Sequence, residues 1–162
     1  MKNKFYILLA VAAIAIGVTA CSFSTAKLSS LKVSNQKGGA TDTSSFKAGE
    51  TIYADAVVAN SMSKTTVKYS LVVDEAPGKK KGDVMTGSEV KVELPSSGTA
   101  SYSLPIPSVF QGGKFTLVAD MLNEAGEKKD SKSTPITIAA GAAPAAPADT
   151  DEDKDDDKDG HK

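Results

Sequence analysis

A pair of carboxylates is the only catalytic device that the composition of this sequence could supply. The chain has 162 residues, and its single histidine, His161, is the residue before the last. Histidine is the side chain that most often acts as an acid, base or metal ligand near neutral pH. Asp55 and Asp120 fall inside predicted strands, and the alternation around them points both side chains outward. Because the two strands are expected in opposite sheets, the carboxylates should share no substrate, and we predict no enzyme activity.

An acidic segment near the C-terminus has the spacing that opens a calcium-binding loop. Asp155, Asp157 and Asp159 alternate, and Gly160 follows them. Such a loop also needs a bidentate glutamate several residues later, and none follows before Lys162. We therefore predict no firm metal site and no cofactor other than a covalent lipid. Weak binding of divalent cations and a plain solvated tail both stay open, and the solvated tail is favoured.

Charge is distributed unevenly along the chain. Residues 149–162 carry eight acidic residues against three lysines, a local net charge of −5, while the body before them is nearly neutral. A neutral body lacks the basic surface of a nucleic-acid binder. All 19 basic residues are lysine, so no bidentate guanidinium clamp for phosphate or carboxylate is available.

Three consecutive lysines, Lys79, Lys80 and Lys81, lie in a predicted loop between Pro-Gly and Gly-Asp. Lysines near an anionic lipid surface contribute about 1 kcal/mol each to its binding. Contact with lipid headgroups and an ordinary soluble loop tip are both compatible with this pattern, and the loop tip is favoured.

The only cysteine, Cys21, follows an unbroken apolar stretch. Lys2 and Lys4 precede that stretch, which covers residues 5–18 and is too short to span a bilayer as a helix. Its length is typical of a signal-peptide core. Val18-Thr19-Ala20-Cys21 resembles the lipobox of bacterial lipoproteins. The resemblance implies cleavage before Cys21 and a lipid on its sulfur; the alternative is an ordinary secretory signal with an incidental cysteine.

The remainder of the chain shows strand patterns separated by turn residues. Apolar and polar residues alternate with period two in most of these segments, and none after residue 27 has sustained helical spacing. Gly, Pro, Asn and Ser occupy the connections. The predicted strands cover residues 28–34, 51–59, 66–74, 88–94, 99–104, 114–123 and 133–139. About seven short strands with regular turns predict an all-β, antiparallel sandwich.

The order of these features resembles bacterial immunoglobulin-like or fibronectin-type domains over residues 28–139. The stretches "FKAGETIYADAVVAN" and "GGKFTLVADMLNEAGEK" carry the resemblance, each with a glycine turn leading into a strand. The chain departs from antibody domains because it has no cysteine pair and no tryptophan. Phe115 stands where many such domains have a corner tyrosine.

One predicted sheet face combines branched apolar and hydroxyl side chains. If the strands at 66–74 and 114–123 are neighbours, five outward residues form this face: Ser70, Val72, Thr116, Val118 and Leu122. Clustered apolar residues on a sheet face mark partner sites in some proteins. The alternatives are that a loop covers them or that they are ordinary single exposed residues.

These patterns predict a lipid-anchored, non-enzymatic interaction protein of the cell envelope or cell surface. Its expected organisation is a signal peptide (1–20), a lipidated tether (21–27), a sandwich domain (28–139) and a disordered Ala/Pro spacer with an acidic tail (140–162). The domain would bind a protein or surface partner. The resemblance to lipoproteins implies the outer membrane in a host with two membranes, because Ser22 follows the cysteine. The alternative is an accessory of a transport or chaperone system that uses the acidic tail.

Anchoring should depend on Cys21 alone. We expect Cys21→Ser to leave an uncleaved or mis-cleaved precursor without lipid, because the sulfur is the proposed attachment atom. Detergent phase partitioning and the size of the mature protein measure this. A variant that matures to the wild-type size and partitions like the wild type would contradict the lipobox interpretation.

Overall fold

Eight β-strands make up the part of the chain that the computed structural model describes, residues 25–39 and 41–141. No residue in these two ranges is helical, which confirms the all-β class. All seven predicted strands are present, and β2 is an additional short strand. The strands are β1 (Lys27–Ser34), β2 (Ser45–Lys47), β3 (Thr51–Ala59), β4 (Thr65–Glu75), β5 (Val90–Leu94), β6 (Gly98–Pro105), β7 (Gly113–Leu122) and β8 (Lys128–Ala139).

The strands form two sheets. One sheet has three strands in the order β1-β3-β6, and the other has five in the order β2-β8-β7-β4-β5. Every pairing is antiparallel except that of β2 with β8, which is parallel. The backbone N–H of Leu28 in β1 donates to a carboxylate oxygen of Asp130 in β8 at 2.8 Å. This hydrogen bond ties the first strand of one sheet to the other sheet.

Inward-facing apolar side chains of both sheets form a hydrophobic core. Buried and half-buried residues alternate along β3 and β7, as the period-two pattern predicts. Leu71 in β4 pairs with Leu117 in β7, and both are almost fully buried. Their chain neighbours Val72 and Val118 are half-buried and point to the opposite face. The predicted facing of these two strands is therefore confirmed.

The hydroxyl of Tyr69 links the two sheets through the core. Tyr69 lies on β4, in the five-stranded sheet, and is fully buried. Its oxygen accepts a hydrogen bond from the Ala56 N–H at 3.0 Å and donates to the Ala100 carbonyl at 2.6 Å. Ala56 and Ala100 are cross-strand partners on β3 and β6 of the other sheet. One side chain therefore crosses the core and satisfies two buried backbone groups on the far side.

A second tyrosine completes this contact. The ring of Tyr102, on β6, stacks on that of Tyr69 with ring centroids 4.9 Å apart. Its hydroxyl donates to the carbonyl of Ser88 at 3.1 Å. The hydroxyl of Ser88 accepts from the Leu71 N–H and donates to the Met85 carbonyl. Tyr102 and Ser88 thus attach the β4–β5 connection to both sheets.

Two adjacent glycines allow β7 to begin close to its neighbours. Gly112 has φ = 78° and Gly113 has φ = 147°, in the region that disfavours side chains. A Cβ on Gly112 would lie 2.7 Å from the Ala140 nitrogen, and one on Gly113 would lie 2.7 Å from the Glu75 carbonyl oxygen. Glycine is therefore required at both positions by space as well as by φ.

We expect Tyr69→Phe to lower the free energy of unfolding by about 1–3 kcal/mol, because Ala56 and Ala100 lose the hydroxyl that satisfies them inside the core. Tyr102→Phe is the matched control, since it removes one hydrogen bond to a single carbonyl and should cost about 1 kcal/mol. Chemical denaturation measures both. Equal stability of Tyr69→Phe and wild type would show that the bridge does not contribute.

Burial also predicts a loss of stability at alkaline pH. Burial of the phenol is the main reason why the pKa of Tyr102 is raised to about 12, and burial also raises the pKa of Tyr69. A phenol with a raised folded-state pKa stabilises the fold fully below the unfolded-state pKa of about 10, and this contribution is lost as pH rises through the folded-state pKa. We expect the free energy of unfolding to fall above about pH 10, less steeply in Tyr69→Phe. If the free energy of unfolding depends on pH in the same way in wild type and in Tyr69→Phe, Tyr69 does not contribute to the alkaline loss of stability.

The facing of β7 can be tested by two adjacent substitutions. Leu117→Ala should cost roughly 2–5 kcal/mol, because it opens a cavity in the core. Val118→Ala should cost clearly less, because Val118 lies on the half-exposed outer face. Thermal or denaturant unfolding of both variants measures the difference. A larger loss for Val118→Ala would reverse the facing.

Candidate functional site

The structure places all five residues of the predicted partner-binding face on the outer side of the five-stranded sheet. β4 and β7 are neighbours, as the prediction requires. Ser70 pairs with Val118, and Val72 pairs with Thr116. Leu122 lies at the end of the same strand pair, opposite Thr66.

This face offers less accessible apolar surface than the sequence suggests. Ser70 is only 9% exposed, and Val72, Val118 and Leu122 are half-buried. The segment after β4 bends back so that Val84 forms an isolated bridge with Val72. The Thr116 hydroxyl donates to Asp74 at 2.7 Å. The segment around Val84 extends the edge of the sheet beside β4 and does not cover its outer face, and Val84 itself is 46% exposed.

The most exposed large apolar side chains of the described residues lie elsewhere. Met62, in the β3–β4 connection, is 99% exposed, and Val109, in the β6–β7 connection, is 67% exposed. Both occupy loops, where period-two alternation gives no information.

Asp55 and Asp120 lie on the outer faces of different sheets, as expected from their alternation. Asp55 accepts a hydrogen bond from the Ser101 hydroxyl at 2.6 Å. Asp120 accepts one from the Ser131 hydroxyl at 2.6 Å and contacts the Lys128 ammonium at 3.3 Å. Each carboxylate thus has its own local partners.

Several predicted features fall outside the described residues. These are the signal segment with Cys21 and the acidic tail with Asp155, Asp157 and Asp159. Within residues 25–39 and 41–141, no group of three or more His, Cys, Asp or Glu side chains could hold a metal ion. The same ranges contain no helix that is long and apolar enough to cross a membrane. Lys79, Lys80 and Lys81 are exposed in the β4–β5 connection.

The structure reveals a polar cleft that the sequence reasoning did not identify. It lies on the outer face of the three-stranded sheet and has a volume of about 570 Å³. Two cross-strand pairs from β3 and β6 form its floor, Tyr53 with Ser103 and Asp55 with Ser101. Lys37, in the loop after β1, completes the wall.

The groups lining this cleft can both donate and accept hydrogen bonds. Asp55 already accepts from Ser101. Within the described ranges, the side chains of Lys37, Tyr53 and Ser103 form no hydrogen bond or ion pair. Lys32, opposite Asp55 on β1, adds a second lysine to this face. The cleft therefore combines an aromatic ring, hydroxyls, a carboxylate and cationic groups that a ligand could engage.

Sequence alternation assigns Tyr53, Asp55, Ser101 and Ser103 to outward positions, but it does not show that they meet. Their proximity depends on the pairing of β3 with β6, strands that are separated by two others along the chain. The sequence does show outward polar residues on both strands. They indicate a shared site only when it is known that β3 and β6 are neighbours.

No family model and no curated protein matches this chain. Solved structures with a similar arrangement include a β-glucosidase from Listeria innocua in complex with glucose (12% identity, TM-score 0.48, 76% of this chain and 17% of that chain). An alkylpurine DNA glycosylase from Pseudomonas fluorescens has 16% identity, a TM-score of 0.44, and coverage of 72% and 31%. A Niemann-Pick type C2 protein from the Japanese carpenter ant has 13% identity, a TM-score of 0.42, and coverage of 73% and 96%.

The chain spans less than a third of the length of both enzymes. These likenesses assign neither a family nor an activity to it.

Proposed function

We propose that this chain is a lipid-anchored, non-enzymatic interaction protein of the cell envelope, in the outer membrane if the host has two membranes. Cys21 would carry the lipid, and residues 28–139 would bind a protein partner. The lipobox pattern supports the anchor, and the cleft on the three-stranded sheet supports binding through the folded domain. The nearly neutral, arginine-free sequence before the tail favours a protein over a nucleic acid.

We further propose that the two sheets form an immunoglobulin-like sandwich. In that architecture the first, second and fifth strands share one sheet, and the third, sixth and seventh share the other. If β2 is taken as a continuation of the first strand, β1-β3-β6 and β8-β7-β4 match these two sets. The fourth strand, β5, lies beside β4, whereas constant-type domains have their fourth strand in the other sheet. Tyr69 on β4 supports it as well, because it supplies a large buried aromatic on the strand where antibody domains carry a core tryptophan.

The polar cleft is the observation that carries the proposed binding role. A concave site with a few convergent polar groups is the usual form of a ligand-binding surface. Tyr53 can contribute an aromatic contact together with a hydroxyl, and such residues often dominate interface energetics. Asp55 can accept hydrogen bonds from donors of the partner, while Lys37 can pair with an acidic group.

The outer face of the five-stranded sheet is the second choice for the partner surface. Several of its polar groups already have partners on the same sheet or its flanks, among them Thr116 with Asp74 and Lys68 with Glu89. A partner docking there would have to displace these contacts or leave them unused. In the cleft, Asp55 is engaged by Ser101, but the side chains of Lys37, Tyr53 and Ser103 form no hydrogen bond or ion pair within the described ranges.

Partner capture from envelope extracts tests the cleft. We expect the double variant Tyr53→Ala, Asp55→Asn to lose at least about tenfold in partner affinity, because an aromatic anchor and a charged acceptor are removed together. Val118→Asp, on the outer face of the other sheet, is the matched control and should capture the partner like the wild type. Thermal unfolding of both variants checks that the fold is intact.

If Val118→Asp loses the partner and the cleft variant still captures it, the partner site lies on the five-stranded sheet. If both folded variants capture everything that the wild type captures, binding through either sheet face is wrong.

A further inference from the structure

An apolar recess opens between the two sheets at the end of the domain where β4 and β6 finish. It has a volume of about 370 Å³, within the range of about 300–1,000 Å³ that small-molecule sites occupy. The lining comes from both sheets and from the β4–β5 and β6–β7 connections. Its main apolar residues are Leu71, Met85, Leu104, Ile106, Phe110 and Ile138.

A second recess of about 260 Å³ adjoins the first one. Met85, Pro107 and Phe110 line both. Val109, 67% exposed, lies on the rim of the second recess. One recess therefore lies beside core residues and its neighbour lies at the exposed rim, and we call the two together the apolar channel.

The charged side chain that lines this channel among the described residues is a lysine. Among the described residues, Lys79 is the only charged one that lines either recess, and it lines both. Lys80 and Lys81 follow it in the same exposed loop. The nearest carboxylates of that region have contacts of their own: Asp83 accepts from the Lys80 backbone N–H, and Glu75 pairs with Lys114. An apolar channel with a free ammonium at its mouth is complementary to a molecule with an apolar tail and an anionic head.

We propose that this channel binds a single-chain anionic amphiphile, a free fatty acid in its carboxylate form. The hydrocarbon tail would lie between the sheets against Leu104 and Phe110, and the carboxylate would pair with the Lys79 ammonium. This site is on the end of the domain and does not include the cleft of Tyr53 and Asp55. It therefore stands independently of the proposed partner binding.

The geometry of the β4–β5 connection supports a preformed site. The Ser88 hydroxyl and carbonyl hold this connection to Leu71 and Tyr102, and Met85 N–H donates to the Leu71 carbonyl at 2.8 Å. Met85 is thereby fixed at the channel wall. Its flexible thioether side chain suits a wall that has to accommodate a linear chain.

Titration of the expected mature chain, residues 21–162, with dodecanoate below the concentration at which it forms micelles tests the site. This chain would carry Cys21→Ser, so that neither a covalent acyl group nor the apolar segment 5–18 competes for the channel. Binding is followed by calorimetry and by the NMR signal of the Met85 methyl group. We expect one bound dodecanoate per chain, with affinity falling about threefold to fourfold for each methylene removed in the series to decanoate and octanoate.

Two lysine variants separate head-group pairing from general charge. Lys79→Gln should weaken dodecanoate binding about threefold to fivefold, because the exposed ammonium at the mouth is lost. Lys81→Gln makes the same charge change in the same loop and should bind like the parent chain. Dodecyltrimethylammonium, which has the same tail and a cationic head, should bind more weakly than dodecanoate to the parent chain. Leu104→Trp should block the channel, and its thermal transition shows whether it is folded.

Three results would overturn the proposal. The first is no shift of the Met85 methyl signal with any of the three carboxylates. The second is equal binding of the carboxylate and ammonium probes together with no effect of Lys79→Gln. The third is binding that appears only after residues 142–162 are removed, which would show that the chain's own C-terminal segment fills the channel.

Discussion

The central constraint in this structure is the contact that Tyr69 makes across the core. The three-stranded sheet presents a buried N–H at Ala56 and a buried carbonyl at Ala100, and the hydroxyl of Tyr69 satisfies both. A buried backbone group that loses a hydrogen bond costs about 1–3 kcal/mol, so these two bonds favour a packing of the sheets that keeps the hydroxyl within reach of both groups. Tyr102 stacks on the same ring and carries the constraint to Ser88. The loop between β4 and β5 therefore takes its position from the core.

Much of the fold could be predicted because its strands are amphipathic. Segment 66–74 was predicted from alternation and differs by one residue at each end from β4 (Thr65–Glu75). The start of β8 was missed, because the strand begins at Lys128 but residues 128–132 contain no apolar residue. Their pairing with β7 is made by the backbone and produces no alternating pattern in the sequence. The short strand β2 was missed for a related reason. It has three residues, and Phe46 is its single buried side chain.

Prediction of the candidate sites was limited by pairing and by loops. The outward position of Asp55 follows from alternation, yet its meeting with Ser101 depends on which strands are neighbours. The outward position of Val118 likewise follows from alternation, but its half-burial depends on its pairing with Ser70 in β4 and Ser133 in β8. Lys79 was recognised as part of a basic loop, but its position beside an apolar recess depends on how this loop packs in the fold and was not readable from composition.

Strand β6 connects the two candidate binding sites with the core. Its outward residues Ser101 and Ser103 line the polar cleft, whereas Tyr102 between them faces inward and stacks on Tyr69. Two residues later, Leu104 lines the apolar recess at the end of the domain. Because successive side chains of a strand point to opposite faces, one rigid strand supplies both sites without sharing a side chain between them. A change of register in β6 would therefore disturb the cleft, the recess and the tyrosine stack together, while loop substitutions can alter each site separately.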